Sequence, residues 1–321
     1  MTLPRLAARH VPIVLFVLVY AAFAAVSPTF RTPANAVNLL VQSSSTVIVA
    51  TGMTFVMLTA GIDLSVGAVM FLSAALAGRL VLGGWAEGVG PVPVWAATLL
   101  MLPMGVAFGS LNALLVARLR LMPFLVTLAT LFIGRGLALR VTQTRALNLP
   151  DAFLAIGSAR VAGVPLPVLL SVATVLVGQL VLARTPFGRQ VYALGDNPDA
   201  ARKAGLRPGR LLTAVYVISG LCAALGGIVS VAQLGAVSPS FGNQREFAAI
   251  AAAVVGGTSL FGGRGSVFPG TFLGAVFIQT IEAGLNVTNA NPYSYPVVIG
   301  CIIFAAVAIE RGTSGTRHVR P

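Results

Sequence analysis

The sequence predicts an all-α fold, a polytopic transmembrane helical bundle of about ten spans that forms a single domain over residues 1–321. Three observations carry that prediction. Only 9% of the residues are charged and 57% are hydrophobic, with a mean hydropathy of +0.92; soluble globular domains carry about 25% charged residues. Apolar runs close to the ~20 residues needed to cross a ~30 Å hydrocarbon core recur along the chain. No polar stretch between them is long enough for a separate soluble domain.

The spans are expected at about 11–27, 38–60, 65–83, 93–117, 122–141, 164–183, 210–234, 246–261, 266–287 and 294–310. Ahead of the first stand Arg5, Arg9 and His10, and Ala22-Phe23-Ala24 resembles a leader-cleavage site. With many spans following, an uncleaved first span is expected. The second carries a polar turn, Gln42-Ser43-Ser44-Ser45-Thr46. Its amide and hydroxyls suit either hydrogen bonding to a polyhydroxylated solute or bonds between helices.

The break before the third span reads GIDLSVG, Gly61 to Gly67. A charge in the membrane interior costs around 2.5–3.5 kcal/mol on insertion scales, so Asp63 must be partnered or face water. Either Asp63 or Ser65 caps the next helix, or Asp63 lines the pathway. In the fourth span Pro103 and Gly105 are tolerable where neighbouring helices re-satisfy the backbone. Gly105-xxx-Gly109 and Gly270-xxx-Gly274 allow close helix approach, within one chain or across a dimer seam. Asn112 and Arg135 are further buried-polar candidates. Arg135 is either the counter-charge of Asp63 or lies near the outer boundary.

The loop at about 142–163 is moderately polar and too small for a ligand-binding domain. The segment 246–261 is short, so it either spans or re-enters as a half-helix. VATGMTFVMLTAGIDLSVGAVMF and IAAAVVGGTSLFGGRGSVFPGTF share an order of apolar run, Gly-bearing break and apolar run. That order suits a transporter's internal repeat.

The longest strongly polar run, RTPFGRQVYALGDNPDAARKAGLRPGR, lies between Arg184 and Arg210. With both termini cytoplasmic, fourteen Arg and Lys fall inside and six outside, the asymmetry that positive-inside orientation requires. Within it, GDNPDAARKAGL offers Asp196 or Asn197 as N-cap, Pro198 at the first helical position, Asp199 in the first turn and Gly205 as terminator. This is a two-turn helix displayed on the cytoplasmic side, either an ordinary connection or a handle for a soluble partner.

Several chemistries are excluded. The +13 net charge comes from scattered arginines and not from a dense basic patch with interleaved aromatics, so no nucleic-acid partner is expected. A Walker A loop needs Gly-Lys-Ser/Thr, and the only lysine, Lys203, stands between Arg202 and Ala204. His10 and His318, near opposite ends, make no His-pair metal site and argue against a Ser-His-Asp triad. Only Asp63 reads as an aspartate at membrane depth, so paired-aspartate hydrolysis is excluded too. Cys222 and Cys301, in apolar runs, are expected unpaired. No enzyme activity, cofactor or metal is expected, so uphill transport would draw on an ion gradient or another subunit.

Four motifs stand in a fixed order: GMTFVMLTAGIDLSVG (52–67), GSLNALLV…MPFLVTLATLFIGRG (109–136), FGRQVYALGDNPDAARKAGL (187–206) and VVGGTSLFGGRGSVFPGTFLGA (254–275). On these the chain resembles the inner-membrane permeases of ribose-type sugar ABC importers over nearly its whole length. TPFGRQVYALG, with IERG at 309–312, is similar to a permease of the galactofuranose importer. Ala113, where the family often has Gly, and Met122, where it commonly has Ile or Val, depart from the pattern. The resemblance implies a periplasmic sugar-binding protein, a second permease (heteromeric, or a homodimer) and a cytoplasmic two-cassette ATPase. It also implies that Gly195, Asp196, Asn197, Pro198, Ala200, Ala201 and Gly205 dock on that ATPase. Gln42, Ser43, Thr46, Asp63, Ser65, Asn112 and Arg135 are the candidate pathway residues. The competing reading is a stand-alone secondary transporter or channel with Asp63 or Glu282 as coupling carboxylate.

Overall fold

A computed structural model describes residues 3–83, 91–291 and 293–314, with side chains from residue 13 onward and few beyond 305. The side chains of Arg5, Arg9, His10 and Arg311, and all of Arg317, His318 and Arg320, lie outside the described residues, as do the side chains of the IERG motif.

The chain runs through α1 (Leu3–Val26), α2 (Pro33–Leu58), α3 (Val66–Leu82), α4 (Val94–Ala113), α5 (Pro123–Thr142), α6 (Asp151–Ser158), α7 (Leu166–Arg184), α8 (Pro186–Asp196), α9 (Pro198–Lys203), α10 (Pro208–Leu234), α11 (Arg245–Val255), α12 (Phe272–Val287) and α13 (Ser294–Ser314). Proline starts and glycine ends several of them, as their φ preferences dictate. Pro33 follows the Thr32 cap, whose hydroxyl accepts from the Asn35 amide. α10 begins at Pro208 and stops at Gly235 in left-handed backbone.

Each expected span overlaps a helix, although α1 starts eight residues before the first and α11 ends six residues short of 261. Among the described residues six are long and apolar enough to cross a membrane: α2, α4 with its continuing turn to Arg118, α5, α7, α10, and α12 with the turn from Val267. α1 over 13–26, α3 and α13 over 294–305 are shorter apolar helices.

α11 corresponds to the segment left open between span and half-helix. Its 11 residues rise about 16 Å, half a hydrocarbon core. Its first residue, Arg245, donates to Thr46 midway along α2, so α11 starts halfway down the bundle. It ends where Gly256 meets Gly270. This is half-helix geometry.

The core is formed by α2, α3 and α10, wrapped by α4, α5, α11 and α12. Both small-residue pairs are used within the chain. A methyl group at Gly105 or Gly109 would strike the α10 backbone at Gly220 or Tyr216, and one at Gly274 would strike the Ala252 carbonyl of α11. α2-break-α3 and α11-break-α12 share the helix–break–helix order of the suspected repeat, and their breaks touch: the Gly263 amide donates to the Leu58 carbonyl at 3.0 Å.

Two features were not anticipated. The loop after α5 is structured, holding α6, a β2–β3 pair (Arg160–Val161 with Val164–Pro165), and β1 (Leu147–Asn148) paired antiparallel with β4 (Ala236–Val237). The polar run after α7 contains two helices, α8 and α9, where one was expected.

Candidate functional site

α8 and α9 form a hooked lever at one end of the bundle. Thr185 caps α8, its hydroxyl accepting from the Gly188 amide at 3.2 Å, with Pro186 in the first turn. Asn197, not Asp196, caps α9: its Oδ1 accepts from the amides of Asp199 (3.1 Å) and Ala200 (2.9 Å). Pro198 opens that helix. Gly205 ends it at φ +82°, with the Leu206 amide reaching back to the Ala201 carbonyl at 3.1 Å, a Schellman closure. The lever's outer face carries Asp196, Asn197, Pro198, Asp199, Ala200 and Arg202, all exposed.

Ala201 does not share that face. It is 4% exposed and packs with Leu194 and Leu211, so it holds α9 to α8 and α10. A docking surface built from Ala200 and Ala201 together is therefore corrected to one in which Ala200 alone is displayed.

The lever's inner face is clamped to both helix breaks. Gly195 lies so close to the Leu58 carbonyl that a methyl group there would overlap the oxygen, and it would also come within 2.5 Å of the Gly263 nitrogen. The Tyr192 hydroxyl donates to the Gly265 carbonyl at 2.8 Å, and burial pushes its pKa up, so the proton that makes this bond stays in place across ordinary pH. Phe187 stacks on Phe55 of α2, ring centroids 6.5 Å apart. Any displacement of α8 thus reaches the α2–α3 break and the α11–α12 break together.

Asp63 sits at the centre of a buried polar node. It is 1% exposed. Its Oδ1 accepts from the Ser65 amide (3.0 Å) and hydroxyl (2.6 Å), and Oδ2 accepts from the Ser219 hydroxyl of α10 (2.8 Å). The Ser65 oxygen accepts from Asn112 of α4 (2.8 Å), whose own carbonyl accepts from Thr130 of α5 (2.8 Å). One chain of hydrogen bonds therefore ties the α2–α3 break to α4, α5 and α10. Asp63 is an amide acceptor just ahead of α3 and a tether at the same time.

Arg135 is not the partner of Asp63. It donates to the Pro239 carbonyl at 3.2 Å and lies over the Phe71 ring at 5.6 Å. A second buried carboxylate, Glu246, has no counterpart among the residues expected to matter. Glu246 is 6% exposed, in the first turn of α11 and against Gly67 in the first turn of α3. A carboxylate beside two helix N-termini complements both dipoles. The starts of α3 and α11 meet at that point.

The polar turn of α2 divides its bonds. Ser43 and Ser44 donate to Leu40, back along their own helix, and Ser45 donates to the Gly226 carbonyl of α10 at 2.8 Å. Gln42 accepts from Gln279 of α12 (3.2 Å), and Thr46 accepts from Arg245 (3.3 Å). Cys222 and Cys301 are free thiols.

Residues 35–307 match the model of the family described as branched-chain amino acid transport system / permease component. The chain belongs to that family. It is similar to the D-allose transport system permease protein of Escherichia coli K12, 38% identical with 92% of this chain and 90% of that one covered. It is equally similar, at 38% over 94% and 91%, to a ribose import permease protein of Bacillus subtilis. A fructose import permease protein of Rhizobium meliloti is 36% identical over 94% of this chain and 84% of its own. No solved structure matches.

Proposed function

We propose that this chain is the membrane permease of an ATP-driven monosaccharide importer, working with a separate two-cassette ATPase, a second permease and a periplasmic sugar-binding protein. The relatives' names, for allose, ribose and fructose, support a pentose or hexose. The likeness of TPFGRQVYALG to a galactofuranose permease adds that furanose to the sugars to be tried, and favours an unlike second permease. The chain lies in the inner membrane with both termini and the lever on the cytoplasmic side, where positive-inside asymmetry puts its six basic residues.

The observation that carries the proposal is the double clamp under α8. A lever joined to both helix breaks, through Gly195 to Leu58 and Gly263 and through Tyr192 to Gly265, converts movement of a docked motor into movement of the spans. Asp196, Asn197, Pro198 and Ala200 are the surface the ATPase grips; Gly195, Ala201 and Gly205 shape it. The chain needs no nucleotide site of its own. Asp63, Ser65 and Asn112 act as the hinge that α3, α4, α5 and α10 share. Gln42 and Thr46 face the solute's route, with Ser43 behind them, and Arg135 secures the turn after β4 that carries Pro239.

The test is a photo-activated cross-linking residue placed at Ala200, in membranes holding the whole importer. A product with the ATPase whose yield changes with ATP is the expected result. Cross-links to the sugar-binding protein from that position would reverse the orientation and refute the proposal.

A further inference from the structure

At the end of the bundle opposite the lever, a cavity of about 480 Å³ opens between α2, α6, α10, α11 and α12. Its size falls within the roughly 300–1,000 Å³ of small-molecule sites. Gln42, Gln233, Gln279, Arg245, Glu282 and Ser230 supply its polar wall. Among the described residues no aromatic ring lines it.

What those groups still offer can be counted. Among the described residues Gln42 uses its carbonyl on Gln279, leaving its amide donors free, and Gln279 keeps its carbonyl as a free acceptor. Gln233 spends an amide hydrogen on the Val41 carbonyl at 2.7 Å and keeps its own carbonyl. Arg245 uses one N–H on Thr46 and has others to give. Glu282 is half-buried and adds a carboxylate acceptor.

The wall therefore combines donors and acceptors, with one positive and one negative group. That is the complement of an uncharged molecule whose adjacent hydroxyls each donate and accept. An anion would meet Glu282 and a cation Arg245, so neither is favoured. The Gln42–Gln279 and Arg245–Thr46 bonds close the cavity on the side facing the lever.

We propose that this cavity is the sugar's outward resting site, in which Glu282, Gln279 and Arg245 select for vicinal hydroxyls and the Gln42–Gln279 bridge is the floor that parts on translocation. The proposal rests on the sugar-import reading above and adds the residues that discriminate among sugars after the binding protein has released its cargo.

The experiment uses the complete importer in proteoliposomes. Uptake of a parent sugar is compared with that of its monodeoxy analogues, at concentrations that saturate the binding protein. Rate differences under those conditions arise in the permease. Glu282→Gln keeps the side chain's shape and disturbs no ion pair among the described residues, and Gln279→Ala provides a second, independent variant. Each should compress the parent-to-deoxy rate ratio for one analogue by about tenfold, the loss of one hydrogen bond to a charged or amide group. Ratios unchanged in both variants, or uptake lowered equally for every sugar, would overturn the site and leave the importer reading standing. Failure of the wild-type complex to take up any monosaccharide would overturn both.

Discussion

Gly195→Ala is the smallest change that should disconnect the lever. In an ordinary helix this substitution stabilises by about 0.5–1 kcal/mol. Here the added methyl group overlaps the Leu58 carbonyl oxygen and lies 2.5 Å from the Gly263 nitrogen and 2.9 Å from the Leu58 carbonyl carbon. All three are backbone atoms, which cannot rotate out of the way. The end of α8 must retreat by about 1 Å, and overpacking of this kind costs roughly 1–3 kcal/mol. The retreat also pulls on the 3.0 Å bond between the Gly263 amide and Leu58, worth about 1 kcal/mol. A coupling loss of about 1–3 kcal/mol corresponds to roughly 5–150-fold.

The assay is sugar accumulated per ATP hydrolysed in proteoliposomes of the whole importer. Gly195→Ala should insert, assemble and hydrolyse ATP, yet lower that yield at least fivefold. Gly209→Ala is the internal control, because its methyl group meets only the Ala117 oxygen at 3.8 Å and should change nothing. Wild-type yield and wild-type thermal stability in Gly195→Ala would refute the clamp.

Three further outcomes are expected. Asp63→Asn keeps an acceptor for Ser65 and obliges the Ser219 hydroxyl to turn, costing roughly 1 kcal/mol, whereas Asp63→Ala strands three buried donors at roughly 3 kcal/mol or more. Thermal unfolding in detergent should rank wild type, Asn, Ala; an inactive Asn variant of full stability would instead make the charge itself part of the transport path. Ala200→Glu should weaken ATPase binding without lowering thermal stability, while Ala201→Glu forces a carboxylate between Leu194 and Leu211 and should lower it by several kcal/mol, a contrast that equal melting curves would erase. Tyr192→Phe removes the bond to Gly265 and nothing else, so the uptake yield should fall about fivefold with assembly intact; an unchanged yield would leave Gly195 as the whole connection.

Which features were readable from the sequence follows from the range of the forces involved. Spans were legible because a bilayer tests hydropathy over some twenty consecutive residues, and each expected span has its helix. α9 was legible because its cap, first-turn proline and terminating glycine lie within nine residues. α8 was missed although Thr185-Pro186 is itself a start signal; its basic and apolar residues alternate too closely to read as a span or as a turn. Asp63 stood out as a charge in apolar surroundings, but its long-range tether, Ser219, comes from 156 residues away, and Asn112 reaches Ser65 beside it from 47. No single sequence prints such pairings. Pairing Asp63 with Arg135 assumed that a buried charge seeks its opposite, when two hydroxyls and an amide met it instead. Glu246 escaped notice because it sits at the edge of a short alanine-rich run, and its importance comes from Gly67, far off in sequence. Ala201 was misread because alanine suits an exposed contact face and a tight core equally well.

The central claim is that this chain moves sugar only when an outside motor pulls on α8 and α9. Its most direct test is labelled-sugar uptake by proteoliposomes containing either the chain alone or the chain with its ATPase, companion permease and binding protein, with and without hydrolysable ATP. Accumulation above the external concentration should occur only in the complete, ATP-supplied vesicles. Accumulation by the chain alone under an imposed ion gradient would contradict the account.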